Sequence, residues 1–200
     1  MKKLLGIVVL GLLFISVPSK ADDIRDFEIE GISIDDSALN FFSEDEIDKK
    51  IDNKELILYP SNDEYYGMVF DNKNFFQTYE SIKIHLRKND KNFTLVSVSG
   101  MILYPNNFED CLKTKKKIVK EIKESFNFNN IRNYTNDFGG KGGTSIAYLT
   151  DFNFSSGDAI RVWCSKWDKK NENTKHWTDS LNVGASSKEL LDFLSSKAYN

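Results

Sequence analysis

The protein has 200 residues, of which 40% are hydrophobic, 13% aromatic and 28% charged, and its formal net charge is −3. This composition is too apolar for an intrinsically disordered chain, and 2 Cys with 11 Gly exclude a disulfide-rich miniprotein and a collagen-like chain. Because the chain is not basic, its charge gives no support to nucleic-acid binding, and we expect no nucleic-acid partner.

The N-terminus has the three-part layout of a secretory signal peptide. Two lysines precede an apolar run at residues 4–16, and Ser19 and Ala21 then supply the small residues of a cleavage site. The run is shorter than the ~20 residues that a membrane-spanning helix needs, which argues against a membrane anchor. Removal of residues 1–21, three of them lysines and none acidic, leaves 179 residues with a net charge of −6. We predict that the mature protein is periplasmic or secreted, with no stable membrane anchor after cleavage.

The mature chain, residues 22–200, is predicted to form a single α+β domain, because no linker or low-complexity run divides it. Its first half contains the patterns of two short helices and three strands. The helices are expected at 36–42 and, behind a capping box of Ser43 and Glu46, at 43–51, and the strands at 64–70, 79–87 and 93–104.

The second half begins with a long helical pattern and ends with a short one. The long helix is expected at 108–126, the strands at 144–154, 159–167 and 177–184, the loops at 129–143 and 168–175, and the last helix behind a capping box of Ser186 and Glu189. Helices and strands are grouped rather than alternating, which favours an α+β fold with an antiparallel sheet and helices packed mainly on one face. The order is also that of a pseudo-repeat of a helix plus three strands, although no shared motif demonstrates one.

The two cysteines are predicted to form a disulfide bond, because thiols in an oxidising compartment pair by default. Cys111 lies on the apolar stripe of the long helix, and Cys164 lies on the apolar side of a strand with Ile160 and Val162. A helix packed on a sheet would bring the two sulfurs together. The alternative is two free thiols, one of them a nucleophile, but neither cysteine has a histidine nearby in sequence to act as its base.

No motif predicts a catalytic, cofactor or metal site. The glycine-rich stretch 139–145 lacks the spacing of a phosphate-binding loop, and the oxygen-rich residues within 151–158 lack the glycine and glutamate of a calcium loop. His85 is expected on a solvated strand face between two cations, and His176 in a loop near Asp179. A hydrolase that uses His176 with Asp179 or a serine is therefore a weakly supported alternative.

Two groups of side chains are candidates for a binding surface. The tryptophans of strand 159–167 lie opposite Cys164, and we expect them either to pack under the N-terminal helices or to join an exposed aromatic patch of the kind that marks binding surfaces. The lysines on the outer side of helix 108–126 form either a contact for an anionic partner or a solvated face. The candidate residues are Trp163, Trp167, Trp177, Tyr65, Tyr66, Lys116 and Lys120.

Three stretches carry a resemblance: FEIEGISIDDSALNFFSEDEI, DCLKTKKKIVKEI and SGDAIRVWCSKW. In these stretches, and over most of residues 22–200, the chain resembles a family of short exported bacterial proteins, and since that family has no assigned activity the resemblance implies no reaction. The segment GISIDDS at residues 31–37 is similar to the opening helix of the modules of outer-membrane assembly lipoproteins and β-lactamase-inhibitor-like proteins. Those modules bind proteins and catalyse nothing. The lipid-attachment cysteine of the lipoproteins is missing, because the first cysteine is Cys111.

The leading functional hypothesis is an exported, non-enzymatic binding or envelope-assembly module, whose partner would be an envelope protein. It predicts an exposed aromatic or basic surface. The alternative is a carrier of a small apolar ligand or a lipid, which predicts an apolar cavity between the sheet and the helices, lined by Trp163 and Trp167.

Overall fold

The computed structural model describes residues 20–71, 76–138, 143–175 and 177–199, so most of the predicted signal peptide, glycine-rich residues 139–142 and His176 lie outside the described residues. The strands are β1 Tyr65–Asp71, β2 Ser81–Arg87, β3 Leu95–Leu103, β4 Asn130–Asp137, β5 Ile146–Asn153, β6 Ala159–Lys166 and β7 Ser180–Ser186. The helices are α1 Glu44–Asp52, α2 Phe108–Ser125, α3 Lys169–Lys175 and α4 Lys188–Ser196, and 3-10 turns at Ile24–Asp26 and Ala38–Asn40 precede α1.

The seven strands form one antiparallel sheet in the order β1-β2-β3-β7-β6-β5-β4. The first three strands are a meander, α2 carries the chain to the opposite edge, and β4, β5 and β6 return toward the centre, where β7 pairs with both β3 and β6. The predicted α+β class with an antiparallel sheet is confirmed. The predicted pseudo-repeat counted three strands after the long helix, which correspond to β5, β6 and β7, whereas α2 is followed by four strands because β4 precedes them. Within the described ranges, no helix combines the length and the apolarity that a membrane crossing requires.

One face of the sheet, which we call the core face, is covered by α2, by α1 and by the segment before α1. Alternating apolar side chains of the strands point to this face, as the period of two in the sequence requires. Of the covering side chains, Ile29, Ile32 and Ile47 are at most 1% exposed, and the Phe42 ring stacks on Phe70 with centroids 3.8 Å apart. The fully buried strand residues of this core include Ile82, Ile84, Leu86, Val98, Ile160, Val162, Leu181 and Ala185.

The predicted disulfide bond between Cys111 and Cys164 is formed. It joins α2 to β6 across a Cα–Cα distance of 6.1 Å, and both cysteines are completely buried. Because the two cysteines are 53 positions apart in sequence, the bond closes a long loop that contains β4 and β5. It therefore fastens the long helix to the centre of the sheet.

Two elements lie where the sequence predicted loops. β4 falls within the predicted loop 129–143, and α3 falls within the predicted loop 168–175. Every side chain of β4 is exposed or half-buried, so β4 shows no hydrophobic alternation and is defined by its backbone pairing with β5. α3 is a polar helix of seven residues without an apolar stripe. The predicted helix at 36–42 is reduced to the 3-10 turn Ala38–Asn40.

The two predicted capping boxes have different outcomes. At α1 the box is confirmed, because the backbone N–H of Ser43 donates to the Glu46 carboxylate at 2.9 Å and the Ser43 hydroxyl accepts from the backbone N–H of Glu46 at 3.3 Å. At α4 the prediction is one residue early, since Ser186 is still paired in β7 and Ser187 is the N-cap. Glu189 is thereby free to pair with Arg87 on β2.

Candidate binding site on the open face of the sheet

The second face of the sheet is called the open face here. α4 covers its part over β1 and β3 and, within the described residues, leaves the rest of this face uncovered by a helix. The ring of Phe193 on α4 lies 4.8 Å from that of Tyr65 on β1. On β3, a β-bulge interrupts the pairing with β2 between Leu95 and Ser97. The residue between them, Val96, packs with the α4 cluster. α4 therefore forms a ridge on one half of the open face.

Beside this ridge, polar side chains run across the strands in two rows. The strand register aligns Lys83, Ser99, Gly184, Arg161 and Asp151 in the first row. It aligns His85, Ser97, Ser186 and Ala159 in the second row. The rows form the floor of a cleft of about 200 Å³, which we call the Lys83 cleft, and α4 forms its wall with Leu190, Leu191 and Leu194.

His85 is buried in the floor of the Lys83 cleft, with 7% of its surface exposed. Its ring lies over Gly67 of β1, where an added Cβ would be 2.8 Å from the Nε2 atom. The Nδ1 atom is on the other edge of the ring and has no hydrogen-bond partner in the described structure. Burial, together with the charge of Lys83, lowers the pKa of His85 to about 3, so the imidazole is neutral at pH 7. The expectation of a solvated histidine is wrong, because Tyr59 and the α4 ridge cover this part of β2.

Lys83 is half-buried two residues before His85 on β2. Burial alone lowers the pKa of its ammonium group, and within the described ranges no carboxylate or other group forms a hydrogen bond or an ion pair with it. Its register partner Ser99 is 6% exposed and lines the same cleft. A positive charge that is poorly solvated and not neutralised therefore faces the Lys83 cleft.

Arg161, at the other end of the first row, is in the opposite situation. Its Nε and Nη2 atoms donate to the two carboxylate oxygens of Asp151 at 2.6 and 2.9 Å. The Tyr134 hydroxyl donates to the same carboxylate at 2.9 Å, and the Asp151 side chain is only 5% exposed. Three strand spacings separate the backbones of Lys83 and Arg161, about 14 Å at the usual spacing. Arg161 is thus already neutralised, whereas Lys83 is not.

A second cavity on the open face, which we call the tryptophan groove, has a volume of about 420 Å³. The rings of Trp167 and Trp177 lie 4.3 Å apart, and Phe138 meets Trp167 edge to face at 4.8 Å. Trp163 lines both the tryptophan groove and the Lys83 cleft. The two cavities therefore adjoin at Trp163.

The seven candidate residues of the predicted binding surface do not form one surface. The three tryptophans line one groove, but Tyr65 is 4% exposed beneath α4 and Tyr66 packs against the core on the other face. Lys116 and Lys120 are exposed on α2, which lies on the core face, and Lys120 is 3.8 Å from Glu124. The tryptophans and the two lysines thus belong to opposite sides of the sheet.

The prediction that the tryptophans pack under the N-terminal helices is wrong. The N-terminal segment packs against the core face, in the same cluster as Cys111 and Cys164. The apolar side chains of this segment, among them Ile29 and Ile32, are buried in one cluster with the apolar strand residues of the core face. The tryptophans are left on the side where Trp177 remains 41% exposed.

The residues considered for a hydrolase, a metal site or a nucleophilic thiol are spread over the molecule. The Asp179 carboxylate accepts from the backbone N–H of Trp167 at 2.7 Å, and Asp158 binds the backbone N–H of Lys188 at 2.7 Å in front of α4. Among the described residues, no three His, Cys, Asp or Glu side chains converge in a way that could hold a metal ion. Both cysteines form the disulfide bond, so neither is available as a nucleophilic thiol.

The sequence did not predict that one cleft would bring together Lys83, His85, Ser97, Ser99 and Arg161. The sequence signal for this site is the polar side of the predicted strands 79–87 and 93–104, and such a side is usually solvated.

Comparisons with protein-family models, curated proteins and solved structures gave no match for this chain.

Proposed function

We propose that this protein is an exported, non-enzymatic binding protein that holds a small ligand with an apolar body on the open face of its sheet. The observation that carries the proposal is the tryptophan groove, in which Trp163, Trp167 and Trp177 surround a volume of about 420 Å³. Small-molecule sites usually occupy ~300–1,000 Å³ and are lined by aromatic side chains with a few polar groups.

The volume of the groove favours a small ligand over an envelope protein. A stable protein partner buries about 800 Å² of surface on each side of the interface. The Lys83 cleft and the tryptophan groove are instead two small concave cavities, which suit a small ligand better than a wide protein surface. The predicted carrier had its apolar cavity between the sheet and the helices, and the proposal differs from it in the position of that cavity. On the core face, the facing side chains of α2 and β6 are tightly packed around the disulfide, and the groove lies on the open face instead.

A periplasmic or secreted location is part of the proposal. It is supported by the signal-peptide pattern of residues 1–21 and by the buried disulfide, which forms and persists in oxidising compartments.

The proposal predicts that the uncharged probe N-phenyl-1-naphthylamine binds in the tryptophan groove. Trp177→Ala, which removes an exposed ring that faces Trp167, is expected to weaken this binding about fivefold, because the loss of one aromatic contact costs on the order of 1 kcal/mol. Fluorescence titration of the purified mature protein measures the affinity.

The matched control is Tyr199→Ala, which removes a 68% exposed ring outside the groove and is expected to leave probe binding unchanged. Trp163→Ala is a second groove variant, and circular dichroism checks that each variant is folded. Equal affinities for the wild type and both tryptophan variants would contradict the proposal.

A further inference from the structure

We propose that the Lys83 cleft binds the anionic group of the ligand, so that the ligand is a small amphipathic acid whose oxyanion lies at Lys83 and whose apolar body lies in the tryptophan groove. This inference rests on the proposed function for the apolar half of the ligand.

Lys83 supplies the positive charge of the anion site. Its ammonium group is half-buried without a partner in the described structure, and a poorly solvated cation of this kind gains more from a bound anion than a solvated one. The charge of Arg161 is already neutralised by Asp151, whose carboxylate accepts from its Nε and Nη2 atoms, so Arg161 attracts an anion less than Lys83 does. The same pairing neutralises Asp151, the one carboxylate of the first row, so that it does not repel an anion.

The floor of the Lys83 cleft also carries hydrogen-bond donors. His85 lines the cleft and is more than nine-tenths buried, and its Nδ1 atom, on the side of the ring away from Gly67, has no hydrogen-bond partner among the described residues. The Ser97 hydroxyl already donates to the carbonyl oxygen of Ala185 at 2.9 Å, so the hydroxyl of Ser99 is the serine donor that remains for a ligand. A neutral imidazole and a hydroxyl next to an ammonium group are suited to an oxyanion.

A glycine leaves room above these donors. Gly184 follows Ser99 in the first row, and a Cβ at this position would come within 2.6 Å of the Ser99 Cβ atom. The absence of a side chain therefore keeps the floor open between Lys83 and Arg161. Trp163 borders the cleft and the tryptophan groove together, which allows one ligand to reach both.

Two probes that differ only in a sulfonate test the inference. 1-Anilinonaphthalene-8-sulfonate has the skeleton of N-phenyl-1-naphthylamine plus one anionic group, so the ratio of the two affinities reports the anion site. We expect the wild type to bind the sulfonate probe at least tenfold more tightly than the neutral probe. Lys83→Met, which keeps the length of the side chain and removes its charge, is expected to abolish this ratio by weakening only the sulfonate probe.

Lys116→Met is the matched control, because Lys116 is an exposed lysine of α2 on the other side of the sheet, and its affinity ratio should equal that of the wild type. If Lys83→Met does not fold, Lys83→Gln tests the same loss of charge. An unchanged ratio in the Lys83 variants overturns the inference and leaves the proposed function standing. Binding of the sulfonate probe alone, dependent on Lys83, supports the inference and contradicts the apolar groove, whereas failure of both probes to bind overturns both.

Discussion

Replacing Cys111 and Cys164 together by alanine is expected to lower the free energy of unfolding by about 3–4 kcal/mol. The disulfide closes a loop over a separation of 53 residues, and without it the unfolded chain gains the corresponding conformational freedom. Both cysteines are completely buried between α2 and β6, so the truncated side chains also lose packing contacts. Urea denaturation of the wild type and the double variant measures the difference.

Reduction supplies the control for this experiment. A reductant should destabilise the wild type by a similar amount once the buried bond is opened, and it should have no effect on the double variant. Coincident unfolding curves for the oxidised wild type and the double variant would show that the bond does not stabilise the fold.

The second large effect is a loss of stability in mild acid, and it originates at His85. In the native protein the pKa of His85 is lowered to about 3 by burial and by Lys83, whereas an unfolded histidine has a pKa of 6.5. Between these values the unfolded state binds more protons than the native state, so the free energy of unfolding rises with pH and falls as the pH is lowered through 6.5. The slope approaches about 1.4 kcal/mol per pH unit, and the total loss is on the order of 4 kcal/mol near pH 3.

The window between pH 6.5 and 5 isolates this effect. Asp23, whose pKa is lowered to about 2 by Arg25, belongs to the carboxylates that lose their stabilising contribution only at lower pH. Urea unfolding at half-unit steps in this window should show the slope in the wild type and a smaller one in His85→Gln. If the two proteins have the same slope, His85 does not titrate as its burial requires.

Much of the fold is predictable because its elements carry local signals. Alternation identified β2 and β6, the apolar stripe identified α2, and the two patterns together predicted the Cys111–Cys164 bond. β4 was missed because an edge strand with exposed side chains carries no hydrophobic pattern and exists through its partner β5. Local patterns also do not state which helix covers which face of the sheet, and this determined the environment of the tryptophans.

The candidate site was only half predictable, for a related reason. Tryptophan is recognisable in any context as a large apolar side chain with a polar atom, so Trp163, Trp167 and Trp177 were identified without the structure. Lys83 and His85 occupy the polar side of an alternating strand, and such a side is normally solvated. They are buried here because α4, more than 100 residues later in the chain, lies against that side of β2.

The position of β7 has a consequence for how the chain acquires its structure. β7 is the last strand in sequence but lies at the centre of the sheet, where its pairing with β3 joins residues that are 77 to 89 positions apart. Two three-stranded meanders can form as soon as they are synthesised, but they cannot join until residues 180–186 are present. Pairing over such distances slows folding, because the entropy of closing the loop is lost before the contacts form. A chain with this strand order stays incompletely folded until its C-terminus arrives, and that is the state in which the proposed export would carry it.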